Sequence, residues 1–288
     1  MGETDDHGPR IAREIAAHYA SGYEATRLRQ GTSRLEKART ELILSRYLPP
    51  PPATVVDVAG GAGPYAFWLA GLGYDVHLRD ALPLHVELAL QASAQQPEHP
   101  LRSARVGDAR SLDLPAASVD AALLLGPLYH LTERHDRIRA LTEARRVLRP
   151  GGVAFVVGIS RFASLHDGLH HDRLDDPQFV EIVRQDLKDG QHRNPTNHPA
   201  YFTTAFFHHP DELEAEVTEA GLDVEACLAV EGPAGLVRDF DAWWTDARRR
   251  ELLLALVAVV ESERTLLGVS PHVLVVARRG DADRLSGT

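Results

Sequence analysis

Apolar residues recur along this chain with two periods, and the periods alternate. Short β-branched or apolar runs at 54–58, 75–78, 104–106, 119–125 and 153–159 read as strands. Between them, 64–72, 83–94 and 132–148 carry apolar residues at three- and four-residue spacing and read as helices. Such alternation predicts a parallel sheet covered by helices on both faces. Two further helical patterns, 11–20 and 33–48, come first and stop at Pro49-Pro50-Pro51-Pro52, a run no helix crosses. The proline run therefore separates an N-terminal helical section, 1–52, from a core at 53–280.

After Ile159 the alternation breaks. Residues 160–208 are rich in His, Asp, Asn and Pro, and their short apolar clusters predict little buried surface. The core pattern then resumes with a helix at 211–220, a strand at 224–230, a helical block at 237–267 and a last strand at 272–277. An insertion placed after the carboxyl end of a strand sits over the ligand crevice of an open α/β sheet, so 160–208 is expected to be a lid. Residues 1–9 and 281–288 are polar and expected to fray. No internal repeat interrupts this plan.

Composition narrows the class. The chain has 288 residues, 44% of them hydrophobic, enough for one large domain. Its net charge of −10 argues against coating nucleic acid, because neutralising phosphates needs a basic face. The single cysteine, Cys227, excludes an intrachain disulfide framework and a multi-thiolate metal site. The opening is polar and acidic, and the longest apolar run, 252–260, is too short for a bilayer, so a cytoplasmic location with no membrane partner is expected.

The candidate chemistry lies where strands end. Val55-Val56-Asp57-Val58-Ala59-Gly60-Gly61-Ala62-Gly63 is a strand, an acid and a glycine turn ahead of a helix opened by Pro64. Gly60 and Gly61 can take positive φ, and Gly63 lets the helix start pack tightly on the strand. A carboxylate here would repel a phosphate, so Asp57 suits a cationic or amino-bearing ligand. Asp80 ends the second strand, where it can accept from a ribose diol. Asp108, in Gly107-Asp108-Ala109, follows the third strand and can accept from an adenine amine. Leu125-Gly126-Pro127-Leu128-Tyr129-His130 follows the fourth, where small residues leave room for a reacting centre.

Over residues 53–160 these signals, with Leu148-Arg149-Pro150-Gly151-Gly152, resemble the class I S-adenosylmethionine-dependent methyltransferases of small-molecule type. The resemblance implies an α/β, Rossmann-like, seven-stranded and mostly parallel sheet. It implies S-adenosylmethionine as cofactor, with Asp57, Gly60, Gly61 and Gly63 at the methionine end and Asp80 on the ribose. Asp108, Ala109 and Leu125 would stand around the adenine and the reacting centre. Tyr19, Tyr23 and Arg34 look like the segment that closes over the cofactor. Ala59 departs from the family's usual glycine and is tolerated there if its φ stays negative.

A nicotinamide-binding domain is the main rival, since Gly61-Ala62-Gly63-Pro64-Tyr65-Ala66 fits G-x-G-x-x-A. Asp57 would be unfavourable beside a pyrophosphate, and the later elements have no counterpart there. Bland readings remain for single residues: Asp108 as a turn cap, His130 as a hydrogen-bonded structural histidine, Trp68, Trp243 and Trp244 as packing. The chain holds 15 histidines, and His166, His170, His171, His198, His208 and His209 fall in or beside the insertion. No H-E-x-x-H pattern accompanies them, so no metal is assigned.

The resulting expectation is methyl transfer to an oxygen or nitrogen of a small molecule by in-line displacement. His130 is the candidate base, ionising near neutrality, with Tyr129 beside it; Tyr201, His166 and Trp243 are expected in the acceptor pocket. The alternatives are a methyltransferase acting on RNA or protein, or a protein that binds the cofactor for other chemistry. No nucleic-acid partner is expected, and a homodimer is left open.

Overall fold

The computed structural model describes residues 13–20 and 27–280. The expected frayed end 1–9, the tail 281–288 and Tyr23 lie outside the described residues. Helices α1 (Arg13–Ala20) and α2 (Ser33–Tyr47) come first. The core then runs β1 (Thr54–Val58), α3 (Pro64–Gly71), β2 (Asp75–Asp80), α4 (Pro83–Gln95), β3 (Ser103–Val106) and β4 (Val119–Leu124). One helical turn, α5 (Pro127–His130), leads to α6 (Arg134–Val147) and β5 (Leu148–Ile159). The insertion folds as α7 (Ala163–His170), α8 (Pro177–Asp189) and a small hairpin, β6 (Gln191–His192) with β7 (Ala205–Phe206). The chain closes with α9 (Pro210–Glu219), β8 (Asp223–Ala229), α10 (Phe240–Thr245), α11 (Ala247–Val260) and β9 (His272–Arg278).

Seven strands form one sheet in the order β3-β2-β1-β4-β5-β9-β8. The first five are parallel, and β9 runs antiparallel to both β5 and β8. The antiparallel strand matters for the site. His272, its first residue, pairs with Ile159, the last residue of β5, so β9 begins at the edge where the parallel strands end.

Both faces of the sheet are buried, which is why its strands read as continuous apolar runs. On one face Val55, Leu78, Leu123 and Phe155 pack with Ile43 and Leu44 of α2 and Leu69 of α3. On the other, Val56, Ala122, Leu124 and Val156 pack with Leu141 of α6 and Leu213 and Val217 of α9. Each fully buried large side chain of this kind contributes roughly 1.5–3 kcal/mol. Among the described residues no helix is long and apolar enough to cross a membrane.

Two sequence expectations are corrected. Strand β5 begins at Leu148 rather than at 153, because the Arg149-Pro150-Gly151 turn is taken up in an irregular pairing between β4 and β5. The insertion also buries more than its composition suggested. Phe179, Ile182 and Val183 share one face of α8 and pack with Tyr201 in a separate small core. That helix is punctuated at both ends: Asp176 accepts from Gln178 N, Pro177 opens it and Gly190 closes it at φ 75°. Beneath it, Asp186 accepts from Ser164 Oγ at 2.6 Å and from His192 Nδ1 at 2.8 Å.

Candidate active site

A cavity of about 530 Å³ opens at the carboxyl ends of β1, β2 and β4, within the range of roughly 300–1,000 Å³ usual for small-molecule sites. The glycine loop forms its floor. Ala59 N donates to Arg79 O at 2.7 Å, and Gly61 N donates to Asp80 Oδ2 at 2.9 Å, so β2 holds the loop at two points. Gly61 takes φ 59°, as expected, but Gly60 does not need a positive φ. Gly60 is there for space: a Cβ would stand 2.6 Å from Asp57 Oδ2. Gly63, at φ 90°, packs so closely that a Cβ would meet Phe67 at 2.9 Å and Leu78 at 3.2 Å. Ala59 contradicts its expectation, with φ 58° instead of a negative value. The tie to Arg79 O imposes that left-handed turn, at about 1–2 kcal/mol of steric cost for a residue with a Cβ.

Asp57 is 1% exposed, and its Oδ2 has no hydrogen-bond partner. Burial, with the nearby Asp80 carboxylate adding repulsion, pushes its carboxyl up to about 7. A buried, unpartnered acceptor facing a cavity is what a donor or a cation would satisfy.

Asp80 is more heavily used than the sequence suggested. Besides Gly61 N, it accepts from Leu82 N at 2.9 Å and from His85 Nδ1 at 3.1 Å, so it organises the loop and the start of α4. Each carboxylate oxygen has two lone pairs, which leaves capacity for a further donor from the cavity. Asp108 also lines the cavity and caps its own turn. Its Oδ1 accepts from Arg110 N at 2.8 Å, and the Arg110 guanidinium grips both oxygens. Burial works to raise this carboxyl, but the Arg110 contacts hold it below its ordinary value.

Tyr129 and His130, both on α5, line the same cavity. The ring of His130 stacks on Phe202 of the insertion, 5.9 Å between centroids, and meets Tyr129 edge-on at 4.7 Å. Burial lowers His130 to about 4, against the pull of the Thr204 carbonyl, so the ring is neutral at pH 7. The expected ionisation near neutrality is thereby corrected: desolvation disfavours the imidazolium. Tyr19 lines the cavity from α1, and Ala109 and Leu125 from their loops.

Four expected residues stand elsewhere. Arg34 pairs with Asp241 and lies over Phe240 and Trp244, so it joins α2 to α10 and not to the cavity. Trp243 packs against a small core of Leu35, Phe240, Leu253 and Val257. Tyr201 donates its hydroxyl to Asp176 and stacks on His198 within the insertion. His166 Nε2 lies 3.2 Å from Gly268 O and does not line the cavity. No residue of 160–208 or 237–267 lines the cavity. The insertion reaches it only indirectly, through Phe202 and Thr204 against His130.

The wall predicted from those segments comes instead from α2 and the turn before it, through Arg27, Glu36, Lys37 and Thr40, and from Val230 and His272. The sequence offered no local signal for these residues, which are far apart in the chain. Among the described residues, Glu36, Glu231 and His272 have ligand-type atoms within 4.8 Å of one another. Arg27 grips both oxygens of Glu36, at 2.5 and 2.9 Å, and Glu231 is occupied by His272 and Ser270. A guanidinium and an imidazole held by carboxylates make an ion-pair network, not an open cation site.

Known proteins give the fold its family. The profile described as "Methyltransferase domain" matches residues 56–156. A ubiquinone/menaquinone biosynthesis C-methyltransferase of Acidiphilium cryptum is 34% identical over 114 residues, 39% of this chain and 45% of that one. The enzyme of the same description from Caulobacter vibrioides is 31% identical over 169 residues, 54% of this chain and 64% of its own. The chain thus spans less than two thirds of the length of these curated relatives. A SAM-dependent methyltransferase structure from Methanosarcina mazei shares the fold, with a TM-score of 0.55 at 19% identity, covering 83% of this chain and 97% of that one. Glycine loop, strand order and profile agree: residues 56–156 are a methyltransferase domain of the class I, S-adenosylmethionine-dependent kind.

Proposed function

We propose that this protein transfers a methyl group from S-adenosylmethionine to a small-molecule acceptor. The observation that carries the reading is Asp57: a buried carboxylate with one unpartnered oxygen, in a residue that lines the cavity beside the glycine loop. An amino-bearing, cationic ligand satisfies that oxygen and relieves the repulsion from Asp80, whereas a pyrophosphate would aggravate it. The residues present fit the cofactor. Asp57 with Gly60 and Gly61 would hold its methionine end, Asp80 its ribose hydroxyls, and Asp108 with Ala109 its adenine. When bound, the cofactor supplies a methyl group already activated by a sulfonium.

The chain then has to align, exclude water and, for some acceptors, take a proton. Tyr19 and Tyr129 narrow the cavity beside His130. His130 is neutral at pH 7 and its Nε2 lies 2.6 Å from the Tyr19 hydroxyl, so a proton leaving an acceptor hydroxyl would pass to the Tyr19 oxygen as Tyr19 gives its own to Nε2. Leu125 and Gly126 leave space at the tip of β4; a Cβ at Gly126 would stand 3.2 Å from Ala59 O.

A carbon acceptor is the second reading, supported by relatives described as C-methyltransferases. Calorimetry with S-adenosylmethionine, S-adenosylhomocysteine and NAD tests the cofactor, and tight NAD binding with no S-adenosylmethionine binding would sink the proposal. Release of S-adenosylhomocysteine across a panel of oxygen, nitrogen and carbon acceptors tests the reaction. Product mass and bond position separate the acceptor atoms.

A further inference from the structure

The cavity extends past the glycine loop into a lobe between α2 and the start of β9, walled by Glu36, Thr40, Val157, Val230 and His272. The cofactor reading uses none of these residues. In a wall of mixed character, with Val157 and Val230 beside Glu36 and Thr40, His272 is held by a chain of hydrogen bonds. Its Nδ1 is 2.6 Å from Glu231 Oε1, while Glu231 Oε2 accepts from Ser270 Oγ at 2.8 Å and from His272 N at 3.1 Å. Ser270 Oγ in turn accepts from the backbone N–H groups of Glu231 and Gly232, at 3.0 and 3.1 Å. Glu231 therefore cannot swing away, and the ring it holds cannot turn. The nitrogen left over is Nε2, which has no hydrogen-bond partner among the described residues.

The charged groups around this ring set its state. Glu231 comes from the end of β8, Glu36 from α2, and Arg27 from the turn before α2, where it neutralises part of the Glu36 charge. Burial alone would deprotonate His272; Glu231 first, then Glu36, raise it to about 9. At neutral pH the ring is an imidazolium, so Nε2 is a charged and fixed donor. Such a donor beside Val157 and Val230 is suited to an oxygen on an otherwise apolar body.

We propose that this lobe is the acceptor subsite and that His272 donates Nε2–H to an acidic ring oxygen of the acceptor, of the phenol or enol class. The proposal rests on the cofactor reading above, which assigns the glycine-loop end of the cavity to the methyl donor. The acceptor would bind as its anion, its proton lost to solvent, so that methylation at that oxygen leaves no further proton to remove. Methylation at the ring carbon beside it releases that carbon's proton afterwards; S-adenosylhomocysteine is the leaving group in both cases. Val157 and Val230 supply apolar contact for the ring, and Glu231 is a positioning residue acting through His272.

The test uses the full chain saturated with S-adenosylhomocysteine and p-nitrophenol as probe, because its anion absorbs visible light. The bound probe should ionise at lower pH than the free probe. His272→Gln should weaken binding of the anion about tenfold or more and abolish the shift, with S-adenosylhomocysteine affinity unchanged. On the unmodified protein, the His272 Nε2–H resonance should move on probe addition, a readout that survives if the variant does not fold. Failure of S-adenosylhomocysteine to bind would overturn the cofactor reading, and this proposal with it. Cofactor binding without probe binding, or with a probe shift identical in His272→Gln, would overturn the subsite alone.

Discussion

The hydroxyl of Tyr19 lies 2.6 Å from His130 Nε2, and Nδ1 of the same ring faces the Thr204 carbonyl at 3.5 Å. The carbonyl can only accept, so Nδ1 carries the hydrogen and Tyr19 donates to Nε2. One imidazole thus joins the N-terminal helix, the tip of β4 and the insertion. The neutral form is the one this arrangement favours.

His130 should therefore titrate near pH 4 and not near neutrality, read from its ring resonances. Between its ordinary value of 6.5 and about 4 the unfolded chain takes up a proton that the folded ring refuses. The contribution of His130 to stability consequently falls as pH drops through that window. If His130 is the base, His130→Phe should lose about 10²–10⁴-fold in turnover, and the wild-type rate should be insensitive to this group near pH 7. Near-normal turnover of His130→Phe would reduce it to packing.

Asp57 has the opposite sign from an ordinary surface carboxylate. Its folded value of about 7 lies above its ordinary 3.8, so the folded state holds an extra proton between them and stability from this group falls as pH rises across that window. Asp57→Asn should raise the melting temperature of the ligand-free protein at pH 8 by roughly 2 °C or more. The same variant should weaken S-adenosylmethionine binding about tenfold or more. Stabilisation without loss of affinity would show that the unpartnered oxygen does not meet the ligand.

Asp80 behaves differently because it anchors Gly61, Leu82 and His85. Asp80→Ala should weaken cofactor binding and also cost about 1–3 kcal/mol, since two partly buried backbone donors and the His85 ring lose their acceptor. Chemical denaturation beside calorimetry separates the two effects. A purely thermodynamic loss with unchanged affinity would remove Asp80 from the ribose.

Ala59 sits at φ 58° with its amide tied to Arg79 O. Ala59→Gly removes the left-handed penalty and adds some unfolded-state entropy, so a net gain of up to about 1 kcal/mol is expected. Thermal unfolding checks it. A loss of stability would mean that the Ala59 methyl makes contacts worth more than the strain.

Glu231→Gln should destabilise the protein at neutral pH by removing the anion that holds His272 protonated. With a folded value of about 9 against an ordinary 6.5, this group's stabilisation is fully present below 6.5 and is lost as pH rises through 9. The difference in melting temperature between wild type and Glu231→Gln should therefore shrink above pH 9. A difference independent of pH would assign Glu231 to its bonds with Ser270 and the backbone instead.

Much of this protein was decided locally. The five parallel strands, the break at Pro49–Pro52, and the glycine loop with Asp57, Asp80 and Asp108 at successive strand ends all follow from periodicity, turn residues and spacing along a short stretch. Such features depend on neighbours within a few residues, so they survive without knowledge of the rest of the chain. What tertiary structure alone decided is who stands opposite whom. Tyr201 and Trp243 have the chemistry of a pocket but are absorbed by packing of their own segments, because the core of α8 and the cluster around Leu253 and Val257 reward burial there, while His166 turns to the Gly268 carbonyl. Glu36, Glu231 and His272 carry no motif and converge only because β9 enters the sheet antiparallel, setting its first residue beside the last residue of β5. Long-range register, not composition, put a charged donor in the wall of the cavity.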